Sequence, residues 1–223
     1  ELKGESLYDS NDNLTLTSIT VKNLNVEGTA IGNGKTHGYI AGKATTDTAI
    51  DKYSLASDGN ATDVGDLLPV RTGTTYSAAG LSSFNRGYVA GGYPGSPNGT
   101  VVNDKLLQQF PWSISGETAT SVGVLNNEGG HVLCGTMSKS HGYFSGGSPP
   151  HTDDIMKFPL ASNGNTSIIA QMSQNRYQHS PGVSDTHSFM AGGTQAITGL
   201  PKYKLIESFP FAADTTINNF FFF

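Results

Sequence analysis

Two short segments near the N-terminus carry residue types that could hold a phosphate or a metal ion. Gly34-Lys35-Thr36 has the last residues of a phosphate-binding loop, but that loop needs a glycine where the sequence has Thr29, and a helix afterwards. Residues 9–13 place oxygen ligands at alternate positions, as a calcium loop does. However, Leu14 and Thr20 stand where the turn glycine and the closing glutamate belong. We therefore predict neither nucleotide binding nor a calcium site.

Three histidines, His37, His141 and His187, occupy one position of a repeated phrase, and Arg86 takes that position in the remaining copy. Zinc needs ligands at about 2 Å, which residues of different repeats provide only where they line a common axis. We expect instead that these side chains begin strands and hydrogen-bond the adjacent repeat unit. Cys134 is the only cysteine, so an intrachain disulfide is excluded and a small buried apolar side chain is expected.

Motifs of hydrolytic enzymes are missing from the sequence, which has no Gly-x-Ser-x-Gly and no His-Glu-x-x-His. Carboxylates such as Asp51, Asp63 and Asp66 lie mostly inside repeated phrases or turns. A glycosidase pair stays open, because its two carboxylates are recognised by their separation in space. We expect a protein that is not an enzyme and that uses no catalytic residue, cofactor or metal.

The composition excludes several classes of partner. The 223 residues include 13 Lys and Arg against 18 Asp and Glu, and the net charge of -5 argues against nucleic acid and anionic membranes. No apolar run approaches the roughly 18 residues of a membrane span, so membrane insertion is not expected. The length fits a single all-β domain.

One phrase occurs four times: an aromatic residue, an apolar residue and then Ala or Ser, followed by one or two glycines. Its first glycines, Gly42, Gly91, Gly146 and Gly192, are 49, 55 and 46 residues apart. A glycine without a Cβ lets neighbouring backbone come close, or allows a bulge, where sheets converge. A period near 50 residues indicates a repeat architecture.

Further phrases complete each repeat unit. An aromatic residue with an apolar residue two places later, the spacing of one strand face, occurs in Ile50–Ser57, Gln109–Ser115, Lys157–Ser162 and Ser208–Ala213. A third phrase occupies residues 61–67, 119–125 and 166–169, and a fourth short stretch, at 75–79 or 131–134, leads into the next copy. Each unit therefore predicts about four short strands.

Four-stranded units with a hydrophobic-Gly-Gly step resemble β-propellers of the kelch type. Ile50–Ser57, Asn60–Leu67 and Lys157–Ser162 are similar in wording to kelch-like repeats of structural and tail-fibre proteins of marine tailed bacteriophages. The resemblance covers about Gly32 to Ala213. It implies an all-β, kelch-like β-propeller of about four blades, each made of four short antiparallel strands.

The limits of the propeller follow from the extent of the repeats. Residues 1–16 are expected to be an extension or linker, 17–213 the propeller and 214–223 a C-terminal tail. The chain ends before the last blade gains its third and fourth strands, and residues 17–24 and 28–32 resemble those missing strands. Joining the ends would close a four-bladed ring and hide both sheet edges. An incomplete arc, completed by further sequence or another chain, is the alternative.

The terminal segment, residues 218–223, has no counterpart in the repeats, and four consecutive phenylalanines cannot all face the inside of one strand. We therefore expect this tail to dock on another subunit or to continue into further chain, which would make the protein part of an oligomer or larger particle.

The phage resemblance implies a non-enzymatic virion structural protein, in a tail fibre or as a decoration subunit. Its location would be the extracellular virion, and its partners would be other virion subunits, as a homo-oligomer or within a larger particle. A secreted or cell-surface protein that binds or acts on glycans is the alternative.

Loops on a fixed scaffold commonly carry recognition, so a host-surface glycan or protein is expected to bind the loops after the glycine pairs of the second and fourth copies of the phrase. In the first of these loops Tyr93 offers a flat ring on which a sugar could stack. The candidate receptor-binding residues are Tyr93, Ser96, Asn98, Thr194, Gln195 and Thr198.

Overall fold

The computed structural model describes residues 36–42, 48–68, 78–92, 105–127, 130, 133–148, 150–195, 202–214 and 217–222. The chain divides into Glu1–Ile31 and Gly32–Phe223, and every described residue belongs to the second unit. Strands and turns make up this described part, so the all-β prediction is confirmed. Over the same residues there is no helix with the length and apolar character to cross a membrane.

Four sheets of four strands follow one another along the described chain. Sheet I contains β1 (His37–Ala41), β2 (Ala49–Ser54), β3 (Thr62–Asp66) and β7 (Glu117–Thr118). Sheet II contains β4 (Ala79–Ser82), β5 (Arg86–Ala90), β6 (Leu106–Pro111) and β8 (Thr120–Val124). Sheet III contains β9 (Cys134–Met137), β10 (His141–Ser145), β11 (Asp154–Pro159) and β12 (Ser167–Gln171). Sheet IV contains β13 (Ser180–Val183), β14 (His187–Ala191), β15 (Leu205–Pro210) and β16 (Asn218–Phe222).

The glycine phrase and the aromatic phrase form the two middle strands of sheets II, III and IV, as the repeat predicts. The fourth short stretch begins later than predicted. Its strands are β4 and β9, which start at Ala79 and Cys134 and lie directly before the hairpin turns into β5 and β10. Three-residue turns suffice because the Ser83 and Ser138 hydroxyls each accept a hydrogen bond from the N–H three residues later.

Sheet IV corrects the expectation that the chain ends before its last blade is complete. All four of its strands come from residues 180–222, and β16 pairs antiparallel with β15. The terminal segment is therefore the outer strand of sheet IV and not a separate tail from residue 214. Residues 17–24 and 28–32 lie outside the described part of the chain.

Sheet I departs from four antiparallel strands of one repeat. Its fourth strand, β7, lies in the turn between β6 and β8 and pairs parallel with β3. The equivalent turn of sheet III, at Gly164 and Thr166, hydrogen-bonds in the same way to the backbone of Val122 and Val124 in sheet II. In both cases the turn that precedes the last strand of one repeat hydrogen-bonds to the last strand of the preceding repeat.

A β-bulge occurs at one place in every sheet, between the strand of the aromatic phrase and the strand that follows it in the same repeat. The extra residues are Val64, Val122, Ile169 and, by register, Phe220. Val64, Val122 and Ile169 pack against the apolar clusters between sheets. The bulge thus turns an apolar side chain of the outer strand towards the next sheet.

The core consists of three clusters, one between each pair of successive sheets. They join I with II through residues such as Ile50 and Trp112, II with III through Tyr88 and Phe158, and III with IV through Tyr143 and Phe209. Among the described residues no such cluster joins IV with I. The contacts therefore run in series, and a four-bladed ring is not closed.

The glycine directly before the aromatic residue of the repeated phrase has a packing role that the sequence did not reveal. Gly87 pairs across the strands with Phe110, and Gly142 with Phe158. A Cβ at either glycine would collide with the aromatic ring of its partner. Glycine at this position lets the aromatic ring of the paired residue pack against the neighbouring strand. The glycine and the aromatic residue therefore form a cross-strand pair.

Candidate functional site

The glycine pairs mark one end of the strands, which we call the glycine end: the end of β5, β10 and β14. Gly91, Gly146 and Gly192 have φ values of 66°, 67° and 67°, in the left-handed region. A Cβ on Gly91 would collide with the carbonyl oxygen of Gly130, and one on Gly146 with that of Arg176. The predicted close backbone approach is confirmed at Gly91 and Gly146, and its partner there is the connection to the next sheet.

Loops of two kinds leave from the glycine end. In sheets II, III and IV one kind joins the second strand to the third, and the other kind joins one sheet to the next. Backbone hydrogen bonds close the roots of these loops, from Gly91 to Leu106 at 3.0 Å and from Gly192 to Leu205 at 2.9 Å. The roots are therefore part of the rigid sheets.

The predicted receptor-binding residues divide between described and undescribed segments. Tyr93, Ser96, Asn98 and Thr198 lie outside the described residues. Thr194 and Gln195 lie at the root of the loop in sheet IV and are half-buried. The Gln195 side chain accepts a hydrogen bond from the Tyr203 hydroxyl at 3.2 Å, across the root of the same loop.

Two aromatic rings meet beside this root, between sheets III and IV. His151 and Tyr177 stack with ring centroids 5.1 Å apart and planes 15° apart. Tyr177 also forms a two-way backbone bridge with Thr194, and the Asn175 side chain donates to the backbone oxygen of His151. The sequence does not reveal this cluster, because its members come from three loops without a shared motif.

A buried ion pair supports the same end from below. Arg176 and Glu207 are both fully buried and bonded to each other. Arg176 also donates to the backbone oxygen of Gly192 at 3.2 Å, and Glu207 accepts from the N–H of Ser173 at 2.8 Å. The pair therefore fixes the connection between sheets III and IV to strands β14 and β15, and its contacts assign it a structural role.

A serine, a histidine and a cysteine meet next to this pair. The Ser145 hydroxyl lies 2.8 Å from Nε2 of His179. Burial, with a smaller contribution from the charge of Arg176, lowers the pKa of His179 to about 3. Burial also raises the pKa of the Cys134 thiol to about 12. All three side chains are buried, so the imidazole and thiol stay neutral near pH 7 and lack the exposure that a catalytic group needs.

The repeated histidines lie at the opposite end of the strands, which we call the hairpin end. His37, His141 and His187 each place Nδ1 at 2.9 Å from the hydroxyl of the preceding residue. Among the described residues, the hydrogen bond of each histidine is therefore to its own strand entry and not to the adjacent repeat unit. A neighbouring hydroxyl supplies a local partner before any residue of the next sheet can.

The hairpin end also carries a cleft between sheets II and III. A cavity of about 440 Å³ is lined by Phe84, Trp112, Met137, Lys139 and Leu160, among others. The Phe84 side chain at the tip of the β4–β5 turn is 64% exposed. The two ends therefore differ: the glycine end carries long loops on tied roots, and the hairpin end carries short turns with an open cleft.

No protein-family model and no curated protein match this sequence. Among solved structures, the structure of YjhT resembles this chain with a TM-score of 0.65 at 13% sequence identity. The match covers 84% of this chain and 63% of YjhT, so the chain spans less than two thirds of that structure. At this level of identity the likeness concerns the fold alone, and it supports a propeller-like arrangement of the four sheets.

Proposed function

We propose that this chain is a non-enzymatic structural module of a phage virion, in a tail fibre or as a decoration subunit. Its glycine end presents loops to a host-surface glycan or protein. The observation that carries the recognition role is the arrangement at that end, where loops of unequal length leave from roots that are hydrogen-bonded into the sheets. A rigid scaffold with exposed, length-variable loops suits the recognition of a surface partner.

The virion role rests on the repeat phrases of the sequence. These phrases resemble in sequence the kelch-like repeats of phage structural proteins, and the strands predicted from them form the sheets. In this proposal the four sheets are kelch-like blades, the protein is extracellular as part of the particle, and its permanent partners are other virion subunits.

The loop of sheet II and the loop of sheet IV would form the contact surface. Residues 91–105 connect β5 to β6, and residues 192–204 connect β14 to β15. Tyr93 would supply a stacking face for a sugar ring, and Ser96, Asn98 and Thr198 would supply hydrogen-bonding groups. Thr194 and Gln195 would position the second loop from its root.

The test is binding to host cells or to a glycan array by a variant with Tyr93→Ala and a shortened 94–100 loop. We expect at least a tenfold loss of binding, because an aromatic anchor and its flanking polar groups dominate contacts of this kind. The matched control is Phe84→Ser, which removes an exposed aromatic ring from the hairpin end. It should bind as the unchanged protein does.

Two results would overturn the recognition proposal. Full binding by a correctly folded loop variant would exclude the glycine end, and a loss confined to Phe84→Ser would move the contact to the cleft at the hairpin end. The virion role is tested separately. Mass spectrometry of purified particles shows whether they contain this chain, and labelling with antibodies against the chain shows where it lies on the particle. A chain found only as a free secreted protein would support the alternative of a cellular glycan-binding propeller.

A further inference from the structure

Three positions of each repeat pack against the preceding sheet in sheets II, III and IV. The first is the residue after the aromatic of the glycine phrase, the second is the aromatic of the third strand, and the third lies two places later. In the order of the sheets they are Val89, Phe110 and Trp112, then Phe144, Phe158 and Leu160, and then Met190, Phe209 and Phe211.

A ring from the preceding sheet meets these positions each time. Tyr39 of sheet I lies 5.7 Å from Phe110 and 4.9 Å from Trp112, measured between ring centroids. Tyr143 of sheet III makes the same approach to Phe209 and Phe211, at 5.2 Å to each. The same interface therefore recurs between successive sheets. We call the face that supplies the ring the offering face, and the face of the next sheet that carries the three positions the receiving face.

Sheet I has the receiving face, and that face is exposed. The three equivalent residues are Ile40, Tyr53 and Leu55, whose exposed fractions are 48%, 36% and 58%. At the position of Ile40 the exposed fractions in the next three sheets are 6%, 0% and 1%. Among the described residues, no apolar cluster joins this face to sheet IV of the same chain. Three neighbouring apolar side chains in water indicate an interface.

Sheet IV has the offering face. Phe189 occupies the register position of Tyr39, Tyr88 and Tyr143. Ile206 occupies the position of Ile50, Leu107 and Ile155, which are fully buried, yet it is only half-buried itself. The chain therefore carries the two halves of one repeat interface, one at each end of its series of sheets.

We propose that sheet IV of one copy packs on sheet I of a second copy, so that copies associate head to tail. The second copy is the occupant that fits, because its sheet IV is the surface on this chain with the residue types and register of the three existing interfaces. A contact between two different faces leaves one of each free on a pair of copies, so it continues until a ring closes or a filament forms. This inference does not depend on the proposed receptor.

The first experiment is sedimentation analysis of the purified protein over a range of concentrations. The unchanged protein should associate, and Ile40→Glu should raise the dissociation constant at least about 100-fold, since it would bury an unpaired charge. Ile168→Glu is the matched control. Ile168 is 45% exposed, close to the value for Ile40, but it lies on the outer strand of sheet III. This control should associate normally.

The second experiment mixes two blocked variants. An Ile40→Glu copy keeps its sheet IV, and an Ile206→Glu copy keeps its sheet I, so the mixture should form pairs and nothing larger. Circular dichroism and thermal unfolding check that both are folded. If Ile206→Glu fails to fold, Ile40→Glu added to the unchanged protein should cap the assemblies and reduce their mean mass.

Three outcomes would overturn the proposal: an unchanged protein that is monomeric at every concentration, Ile40→Glu that associates normally, or a mixture of blocked variants that forms long assemblies. A monomer that Ile40→Glu destabilises as a core substitution would indicate closure within one chain instead.

Discussion

The interface between sheets II and III and the interface between sheets III and IV have the same architecture and different chemistry. At the third residue of the third strand, sheet III has Met156 and sheet IV has Glu207. Met156 lies in an apolar cluster, whereas Glu207 is ion-paired with Arg176 and accepts from the N–H of Ser173. One repeat position can therefore be filled by an apolar or a charged side chain, provided that the connection from the preceding sheet supplies the matching partner.

The interface between sheets I and II is an intermediate case. Gln108 takes the same position and accepts a hydrogen bond from the N–H of Leu68 at 2.6 Å. Leu68 and Ser173 occupy equivalent places in their connections. The amide of Gln108 and the carboxylate of Glu207 therefore each accept a hydrogen bond from the same backbone position. What the charged version adds is Arg176, which reaches two backbone oxygens of sheet IV.

The largest effect is expected from breaking the charged interface on one side. Arg176→Met should lower the free energy of unfolding by about 3–5 kcal/mol, because it leaves the carboxylate of Glu207 buried without a counter-ion. Denaturant unfolding measures the change. The double variant Arg176→Met/Glu207→Gln should recover most of the loss, since glutamine can still accept from Ser173 as Gln108 accepts from Leu68. A double variant as unstable as the single one would contradict this account of the pair.

The apolar interface should respond to lost volume. Met156→Ala should cost about 3 kcal/mol through lost apolar contact and the cavity left behind, measured by the same unfolding assay. Met156→Leu conserves the volume and serves as the control, with a loss below about 1.5 kcal/mol. If both variants lost the same stability, the tight packing assigned to this interface would be wrong.

Acid should weaken the interface between sheets III and IV more than the apolar interface. The pKa of His179 is lowered from 6.5 to about 3 in the folded protein, mainly by burial. Between these values the unfolded chain binds a proton that the folded chain does not, so stability falls as the pH falls. From pH 6.5 to 4.5 the unchanged protein should lose about 2 kcal/mol relative to His179→Gln. Parallel pH profiles for the two proteins would refute this assignment.

The smallest effect is expected at the neutral polar tie. Gln108→Leu keeps the volume and removes the acceptor of the Leu68 N–H, so unfolding should become easier by about 1–2 kcal/mol. Gln108→Glu restores an acceptor and should separate the hydrogen bond from the packing, since its charge has no Arg176 equivalent among the described residues. An unchanged midpoint for Gln108→Leu would mean that the N–H of Leu68 finds another partner.

The candidate site was only partly predictable. The sequence located the glycine end, because the glycine pairs and the loop lengths are visible in it, and Thr194 and Gln195 do lie at a loop root. It did not reveal the stacked pair of His151 and Tyr177, or the group of Ser145, His179 and Cys134. Those residues belong to different loops and strands, and no local spacing signals that they meet.

The terminal segment shows why pattern alone failed at one place. Four phenylalanines in a row have no alternation, so the segment was expected to dock on another subunit. Pairing with β15 makes it the outer strand, and the shared bulge moves its register by one residue at Phe220. A bulge is set by the partner strand, so it leaves no mark in the sequence of the bulged strand alone.

By itself the sequence determined the all-β class, the four repeat units and the positions that share a face, because strand periodicity and turn residues are local properties of the chain. The tertiary structure decided which faces are covered. Ile40 and Phe144 hold the same place in the repeat, yet one is exposed and the other fully buried. Among the described residues a preceding sheet packs against Phe144 and none packs against Ile40, and long-range packing alone supplies that information.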